Sequence, residues 1–349
     1  AKEHDYVLEC IESGWISSTG KYIQSFESTW AEYCGRIHGI VTSSGTTALQ
    51  TAVACLELEA GDEVIMPTFT IISCALATLY NGGVPVLVDA DPDTWCMDIG
   101  QVAARITPRT RAIMAVHIYG HPVDMDPLLA LAKEHNLAVI EDAAEAHGAQ
   151  YLHGHAGENS KWVRCGSIGT LSVFSFFANK LVTTGEGGMM TTADPNLDRA
   201  VRILRQHGMD RSTADREKSE GTERERYLHT STNYRMTDIQ AAVGLVQLDR
   251  LEEIITRRRT MAARYGDALK SIGGVVPPFE PDYARTTFQS YVVRFPGKAG
   301  QVGTVAALLR TKGVDTRPGI MCAHREVPYR EAWPEGLLPE SEIAMDETL

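Results

Sequence analysis

Apolar segments with strand character alternate with helical segments from about residue 38 to residue 210, and this alternation constrains the fold more than any other feature. Residues 38–43 form a short apolar run, and residues 46–58 carry apolar side chains at helical spacing. Further strands are predicted at residues 63–67, 85–89, 112–117, 138–142, 170–176 and 187–192, and further helices at residues 71–80, 99–106 and 125–135. The alternation predicts an α/β fold, a mostly parallel seven-stranded sheet with helices on both faces, whose ligands bind beyond the carboxyl ends of the strands.

A charged segment and a long helical pattern follow this block. Residues 210–226 are rich in Glu, Arg and Ser, and we expect them to form a loop. Residues 237–269 show apolar side chains at helical spacing, with three consecutive arginines at residues 257–259. The arginines fit either an anion site or a solvated helix face, and we expect the solvated face.

The last part of the chain predicts a second domain. A strand is expected at residues 289–294 and a helix at residues 302–312. We therefore expect a large α/β domain over residues 1–248 and a smaller α+β domain over residues 249–349. The chain opens within a helical pattern and stops without a closing element, so we expect the natural protein to continue at both ends.

Composition excludes several classes of function. The chain has 349 residues, a net charge of −12 and 44% hydrophobic residues, which fits a soluble globular protein and disfavours nucleic acid or an anionic membrane as partner. Its apolar runs are shorter than a membrane span. The seven cysteines are scattered without a C-x-x-C pair, so we expect reduced core thiols in a cytoplasmic protein, without disulfides or a metal site.

Lys180 ends an apolar run and is followed at once by a Thr/Gly turn. A lysine at the mouth of a dry pocket loses the solvation that favours its ammonium form, and the resulting amine forms Schiff bases with carbonyl compounds or pyridoxal phosphate. The alternative is a surface lysine beside a β-turn. Pyridoxal phosphate also needs phosphate donors, a carboxylate for its ring nitrogen and an apolar plate for its ring, and candidates for all three lie upstream.

The candidate phosphate site lies where the first strand meets the next helix. Gly45 permits close backbone approach, and Thr46 and Thr47 offer amides and hydroxyls at a helix N-terminus. Ser175 precedes Lys180 by five residues and is a further candidate donor. An ordinary Ser/Thr helix cap is the alternative reading of the first group.

Asp142, at the carboxyl end of a buried strand, is the candidate partner of the ring nitrogen. A buried carboxylate is costly unless it is paired, and a protonated pyridine nitrogen would pair it. Glu145 is placed to contact the phenolic edge of the cofactor or the substrate, and Phe69 to lie against the ring. The alternatives are a helix cap for Asp142 and an ordinary core residue for Phe69.

These stretches together resemble the DegT/StrS-type family of nucleotide-sugar aminotransferases, a branch of the fold-type I pyridoxal phosphate enzymes. The matching segments are residues 14–18, 44–49, 141–149, 174–188 and 233–237. The resemblance implies pyridoxal phosphate as cofactor, with Lys180 as its Schiff-base lysine, Asp142 on the ring nitrogen and Phe69 on the ring face. It also implies an obligate homodimer with shared active sites. The residues that it implies for the phosphate are Thr46, Thr47, Ser175 and, from the second subunit, Asn233.

The finer resemblance is to the GDP-perosamine synthase-like branch, through Glu145 and an Arg-Pro-Gly…His-Arg…Pro-Tyr stretch over residues 317–329. Arg317 and His324 are candidate substrate contacts, as are Trp15 and Arg235 within the matching segments. A structural salt bridge is the alternative for Arg317. Two segments depart from the branch, residues 152–163 and 210–226, and we expect both near the sugar-nucleotide entrance.

The resemblance implies transamination of a 4-keto-6-deoxy nucleotide sugar, GDP-4-keto-6-deoxymannose in this branch, with L-glutamate as amino donor. One alternative keeps the chemistry and changes the acceptor to a UDP- or dTDP-linked ketosugar. A second is a pyridoxamine-dependent sugar dehydratase, but such relatives carry His at the position of Lys180. A third is a non-catalytic, cofactor-binding regulatory protein on the same fold.

Overall fold

The computed structural model describes residues 2–155, 157, 159–210, 225–334 and 336–349. Residues 211–224, most of the charged segment predicted as a loop near the entrance, lie outside the described residues. The strands are β1 His38–Thr42, β2 Glu63–Pro67, β3 Val84–Val88, β4 Thr110–Val116, β5 Ala138–Asp142, β6 Gln150–His153, β7 Lys161–Arg164, β8 Leu171–Ser175, β9 Gly188–Thr192 and β10 Ala284–Arg285.

Seven of these strands form one sheet in the order β1-β9-β8-β5-β4-β2-β3. Pairing is parallel from β8 through β5, β4 and β2 to β3, and β9 is antiparallel to both β1 and β8. The predicted mostly parallel seven-stranded sheet is therefore confirmed. The parallel strands all end at the same edge, which brings the residues that follow β2, β4, β5 and β8 together.

Helices cover both faces of the sheet. They are α1 Lys2–Ser13, α2 Lys21–Cys34, α3 Gly45–Ala54, α4 Ser73–Tyr80, α5 Ile99–Arg105, α6 Met125–Glu134, α7 Pro195–Leu204, α8 Asp238–Asp249, α9 Leu251–Leu269, α10 Val302–Thr311 and α11 Pro339–Glu347. Buried side chains of β5 alternate between the faces: Ile140 packs in the core beneath α3 and α4, whereas Val139 packs in the opposite core with α6. The same alternation places Asp142 and Glu141 on opposite sides of the sheet.

The long helical pattern at residues 237–269 is two helices rather than one. α8 ends at Asp249 and α9 begins at Leu251, with Arg250 between them. The change of helix coincides with the predicted boundary between residues 248 and 249, and the division into two domains stays a prediction.

The strand predicted at residues 289–294 is wrong. Only Arg294 makes bridges there, to Val276 and Thr348. The backbone before it is held by side chains instead, since Arg258 of α9 donates to the carbonyls of Phe288 and Gln289 at 2.9 and 3.0 Å.

The arginine run is therefore not simply a solvated helix face. Arg259 donates to the carbonyl of Thr286 at 2.6 Å and to the two carboxylate oxygens of Glu280 at 2.7 and 3.2 Å. Of the three arginines, only Arg257 is exposed. Arg258 and Arg259 thus hold residues 286–289 against α9.

The predicted entrance segment at residues 152–163 begins in β6 and ends in β7. β6 pairs antiparallel with β7 and with β10, so three short strands form a second sheet. Among the described residues, no helix is long and apolar enough to cross a membrane.

Candidate active site

A cleft of about 890 Å³ opens at the carboxyl edge of the parallel strands. Its walls come from the loops after β1, β2, β4, β5 and β8 and from residues 290–292 and 315–321 of the C-terminal region. Predicted site residues on the cleft wall are Gly45, Thr46, Asp142, Glu145, Ser175, Lys180 and Arg317. The edge of the sheet and the C-terminal region thus bring together residues that are more than 270 positions apart in the chain.

The N-terminus of α3 points its first turn at this cleft. Ser44 caps the helix, since its Oγ accepts from the amide of Thr47 at 3.1 Å while Thr47 Oγ1 accepts from the amide of Ser44 at 3.0 Å. Ser44 also lines the cleft, although the sequence prediction did not include it. The amide and the hydroxyl of Thr47 both bond to Ser44, and Thr47 is not part of the cleft wall. The predicted phosphate contact of Thr47 is therefore wrong, and the residue caps the helix instead.

Gly45 and Ser175 meet where α3 passes the end of β8. A Cβ on Gly45 would lie 2.7 Å from the Ser175 Cβ, closer than two carbon atoms can approach without a shift. Only glycine therefore lets the start of α3 approach the Ser175 hydroxyl this closely. Thr46 Oγ1 shares a 2.9 Å hydrogen bond with Ser73 Oγ on α4, which orients a further hydroxyl in the same wall.

Asp142 lies at the floor of the cleft with only 2% of its surface exposed. Its Oδ1 accepts from the amide of Ala144 at 3.0 Å and its Oδ2 accepts from the thiol of Cys74 at 3.2 Å. Burial raises the pKa of the Asp142 carboxyl above its ordinary value, because these neutral donors and the charge of Lys180 do not fully offset the lost solvation. A cationic ligand group beside it would restore that balance.

Lys180 Nζ donates to Glu145 Oε1 at 2.8 Å, and the two side chains are 12% and 20% exposed. The other oxygen of Glu145, Oε2, accepts from the amide of Tyr119 at 2.9 Å. The amine therefore has a mostly buried carboxylate partner within the cleft, and that partner is itself held in place by a backbone donor.

The turn that presents the Tyr119 amide is strained. Tyr119 has φ of 57°, a left-handed conformation that is uncommon for a residue with a side chain. The adjacent Gly120 has φ of 87°, and a Cβ there would lie 2.6 Å from Thr287 Oγ1. The hydroxyl of Tyr119 accepts from the amide of Ile320 at 2.8 Å, so contacts from the C-terminal region also stabilise this turn.

On the opposite face of β5, Glu141 anchors a second network that the sequence reasoning missed. Its fully buried carboxylate accepts from the amides of Gly166 at 2.8 Å and Ile168 at 2.7 Å, and its Oε2 lies 3.1 Å from His117 Nε2. His117 Nδ1 accepts from the amide of Val123 at 3.0 Å, so Nε2 carries the proton and donates to Glu141. Burial alone would raise the pKa of Glu141, but the hydrogen bond from His117 and those from the loop amides outweigh it and lower the pKa to about 2.

Phe69 does not face the cleft, so its predicted position on the ring face is wrong. The side chain is 1% exposed and packs in the core, 6.0 Å from the ring of Tyr119 in an edge-to-face arrangement. Ile71, two residues later, lines the cleft and is 43% exposed. The apolar side chain that this loop presents to the cleft is therefore aliphatic.

His324 is also misassigned as a substrate contact. Its ring is fully buried between Thr68 Oγ1, 2.8 Å from Nδ1, and Glu342 Oε1, 3.0 Å from Nε2. It fastens the Ala323–Arg325 turn to the end of β2. Arg317, in contrast, is exposed on the cleft wall as expected.

Trp15, Asn233 and Arg235 do not line the cleft of their own chain. Trp15 is 47% exposed in the link between α1 and α2. Asn233 is exposed and pairs with Gln206 in an isolated bridge, and Arg235 lines a separate small cavity next to α2. A direct contact of Trp15 or Arg235 with a substrate in this chain's own cleft is therefore not supported, whereas the Asn233 prediction concerned a second subunit.

Comparison with known proteins shows which family the chain belongs to. Residues 1–349 match the DegT/DnrJ/EryC1/StrS aminotransferase family. The chain belongs to this family. It is 44% identical over 329 residues to a GDP-perosamine synthase of Caulobacter vibrioides, covering 94% of this chain and 84% of the relative.

Two further proteins bear on the fold and the substrate. A GDP-perosamine synthase of Escherichia coli O157:H7 is 39% identical over 95% of this chain and 85% of its own length. The crystal structure of DesV from S. venezuelae matches with a TM-score of 0.89 and 32% identity, covering 99% of this chain and 87% of that chain. The fold is therefore that of a sugar aminotransferase of the fold-type I class, as predicted.

Aminotransferases of this family depend on pyridoxal phosphate, and the cleft fits that cofactor. The close contact of Gly45 with Ser175 forms a cradle at a helix N-terminus, which suits a phosphate. Asp142 is a buried carboxylate whose hydrogen-bond donors are neutral, and Lys180 presents an amine to the same cleft. Residues fit to hold the phosphate, the ring nitrogen and the aldehyde are therefore present together.

The Gly45 contact predicts a large effect for one methyl group. Gly45→Ala should weaken binding of pyridoxal phosphate by at least about tenfold, because the added Cβ must displace either α3 or Ser175 from the cradle. Titration of the apoprotein with cofactor, followed by absorbance, measures this. Gly303→Ala in α10 is the matched control, since a Cβ there meets nothing within 4 Å, and it should bind the cofactor like the wild type.

Glu141 predicts a pH-dependent contribution to stability. Its pKa of about 2 in the fold lies below the unfolded value of about 4.5, so the contribution is fully present above pH 4.5 and declines as the pH falls towards 2. Glu141→Gln should lower the free energy of unfolding at pH 7 by on the order of 3 kcal/mol, and the deficit should shrink in acid. Urea unfolding of the apoprotein across this range tests it, with exposed Glu253→Gln on α9 as control; a deficit that does not change with pH would contradict the assignment.

Proposed function

We propose that this aminotransferase moves the amino group of L-glutamate to the 4-keto carbon of GDP-4-keto-6-deoxymannose and so forms GDP-perosamine. The observation that carries the proposal is the joint placement of Lys180, Asp142 and the α3 cradle in one cleft. The two relatives named as GDP-perosamine synthases, at 44% and 39% identity over nearly the whole chain, support this acceptor.

The residues of the cleft divide the cofactor among them. Gly45, Thr46 and Ser175 hold the phosphate, with Ser44 and the amides of the α3 N-terminus as additional donors. Asp142 would pair with the ring nitrogen, and the amine of Lys180 would hold the aldehyde end. When bound, pyridoxal phosphate supplies a ring that withdraws electrons from the carbon next to the transferred nitrogen.

Proton transfer falls to Lys180. In the first half-reaction its Nζ would take the proton from the donor's α-carbon and give it to the aldehyde carbon of the cofactor, and in the second half-reaction it would move a proton from that carbon to the former keto carbon. Glu145 lies 2.8 Å from Nζ and keeps the amine within reach of the reacting carbons. The carboxylate of Asp142 would keep the ring nitrogen protonated through both halves.

The proposed acceptor carries a diphosphate with two negative charges. Because the protein has a net charge of −12, a positively charged side chain near the site must attract it. Arg317 is the exposed cation on the cleft wall that we propose for this contact. The alternative acceptor is a UDP- or dTDP-linked ketosugar, because the diphosphate contact is the same for all three.

A second copy of the chain completes the site in this proposal. Asn233 lies outside its own cleft on an exposed segment, as a residue that reaches a partner's phosphate must. Trp15 and Arg235 also lie outside the cleft, and we propose them for the same shared region.

The seven cysteines are all free, which suits a reducing compartment such as the cytoplasm.

Removal of the lysine gives the first functional prediction. Lys180→Ala should abolish the absorbance of the cofactor–lysine linkage and reduce turnover by more than about 1000-fold, because both the covalent link and the base are lost. Far-UV circular dichroism should stay unchanged. Lys133→Ala, exposed on α6, is the control and should keep full activity; full activity in the Lys180 variant would end the proposal.

The acceptor is tested with purified enzyme, L-glutamate and GDP-, UDP- and dTDP-4-keto-6-deoxyhexoses, with products identified by mass spectrometry and NMR. We expect amination at C4 of the GDP sugar with the highest kcat/KM. Preference for a UDP or dTDP sugar would refute the GDP acceptor without affecting the aminotransferase chemistry.

Arg317→Ala should raise KM for the nucleotide sugar about tenfold while the glutamate half-reaction stays unchanged.

A further inference from the structure

Among the described residues, the Asp142 carboxylate has two hydrogen-bond donors, and one of them is a thiol. The amide of Ala144 donates to Oδ1 at 3.0 Å, and Cys74 Sγ donates to Oδ2 at 3.2 Å. The two residues approach from different elements, the loop after β5 and the first turn of α4. Together they fix the rotation of the carboxylate about its last bond.

Cys74 is suited to this contact because it remains a donor. Its side chain is fully buried, and burial, together with the neighbouring charge of Asp142, raises the pKa of the thiol well above its ordinary range. The thiol therefore keeps its proton and donates a hydrogen bond to Asp142 Oδ2. Thr70 Oγ1, at 3.7 Å, is the other polar neighbour of the sulfur.

We propose that Cys74 is a positioning residue of the reaction, whose thiol turns the Asp142 carboxylate so that its remaining lone pairs face the ring nitrogen of the cofactor. The inference rests on the proposed pairing of Asp142 with the ring nitrogen and is independent of which sugar is the acceptor.

A positioning role for Cys74 predicts a selective loss of one cofactor contact, whereas a role in packing predicts weaker binding of every ligand. If Cys74 acts through Asp142, its loss should weaken the contact to the ring nitrogen and leave the phosphate and aldehyde contacts intact. The effect should therefore depend on whether the ligand has a ring nitrogen. An analogue of pyridoxal phosphate with C–H in place of that nitrogen provides the comparison.

The experiment measures dissociation constants of pyridoxal phosphate and of this analogue for the wild type, Cys74→Ala and Cys74→Ser. Loss of one weak hydrogen bond predicts about three- to tenfold weaker binding of pyridoxal phosphate to Cys74→Ala, with binding of the analogue unchanged. Cys74→Ser should bind both like the wild type, because a hydroxyl replaces the thiol as donor. The pKa of the ring nitrogen of the bound cofactor, followed by absorbance, should also be lower in Cys74→Ala than in the wild type. In Cys74→Ser it should equal the wild-type value.

Two controls separate this role from stability. Cys34→Ala removes another buried thiol, one in α2 that lies in the core and not on the cleft wall, and it should leave both dissociation constants unchanged. Thermal melting of the apoproteins shows whether each variant is folded. If Cys74→Ala does not fold, Cys74→Val compared with Cys74→Thr still decides, since the two side chains have nearly the same shape and only threonine has a donor. Cys74→Val should lose part of the preference for pyridoxal phosphate over the analogue, and Cys74→Thr should retain it.

Equal weakening for both ligands, or no weakening in Cys74→Ala, would overturn the proposal. Asp142→Ala tests the pairing beneath it, because this variant should lose the preference for pyridoxal phosphate over the analogue altogether. A preserved preference in Asp142→Ala would overturn the pairing and with it the role of Cys74. Neither result would bear on the GDP-sugar acceptor, which the product assay decides separately.

Discussion

The carboxylate of Asp142, buried at the end of β5, is the interaction on which the site depends. Its desolvation is only partly offset by an amide, a thiol and the charge of Lys180, so its pKa remains raised. Such a group is costly in an ordinary core and becomes favourable beside a cation. The parallel sheet makes the arrangement possible, because β5 is central and its end opens directly into the cleft.

Adjacent carboxylates on β5 show how hydrogen bonds decide the electrostatic outcome. Glu141 and Asp142 are both buried, yet the pKa of Glu141 is lowered to about 2 and that of Asp142 is raised. Glu141 accepts from His117, Ser172 and three loop amides, whereas Asp142 has two protein donors. The strand pleat separates them, so one carboxylate anchors the loop at residues 166–169 and the other remains available to a ligand.

The C-terminal region contributes geometry to the cleft as well as wall residues. Arg258 and Arg259 fasten residues 286–289, and this segment contacts the active-site loops. The amide of Thr287 donates to the carbonyl of Gly120 at 3.2 Å, and Gln289 Nε2 donates to the carbonyl of Asn179 at 2.7 Å. The strained turn that holds Glu145 and the loop before Lys180 are therefore both held from the same side.

Much of the architecture could be predicted from local pattern. The seven strands were expected within about two residues of their observed ends, because alternating apolar runs and helical spacing depend on neighbours along the chain. Gly45, Asp142, Ser175 and Lys180 could be singled out for a similar reason, since each follows or ends a strand and parallel strands end at one edge. The sequence alone thus determined the sheet and the edge at which ligands bind.

Only the tertiary structure decided which side chains face the cleft. Phe69 and Ile71 lie in a loop, where no strand or helix period applies, and packing against Tyr119 turned Phe69 inward. His324 is 256 residues from Thr68, and Cys74 is 68 residues from Asp142, so neither contact leaves a local signal. Such contacts follow from how whole elements pack, and that is the information a periodic pattern does not carry.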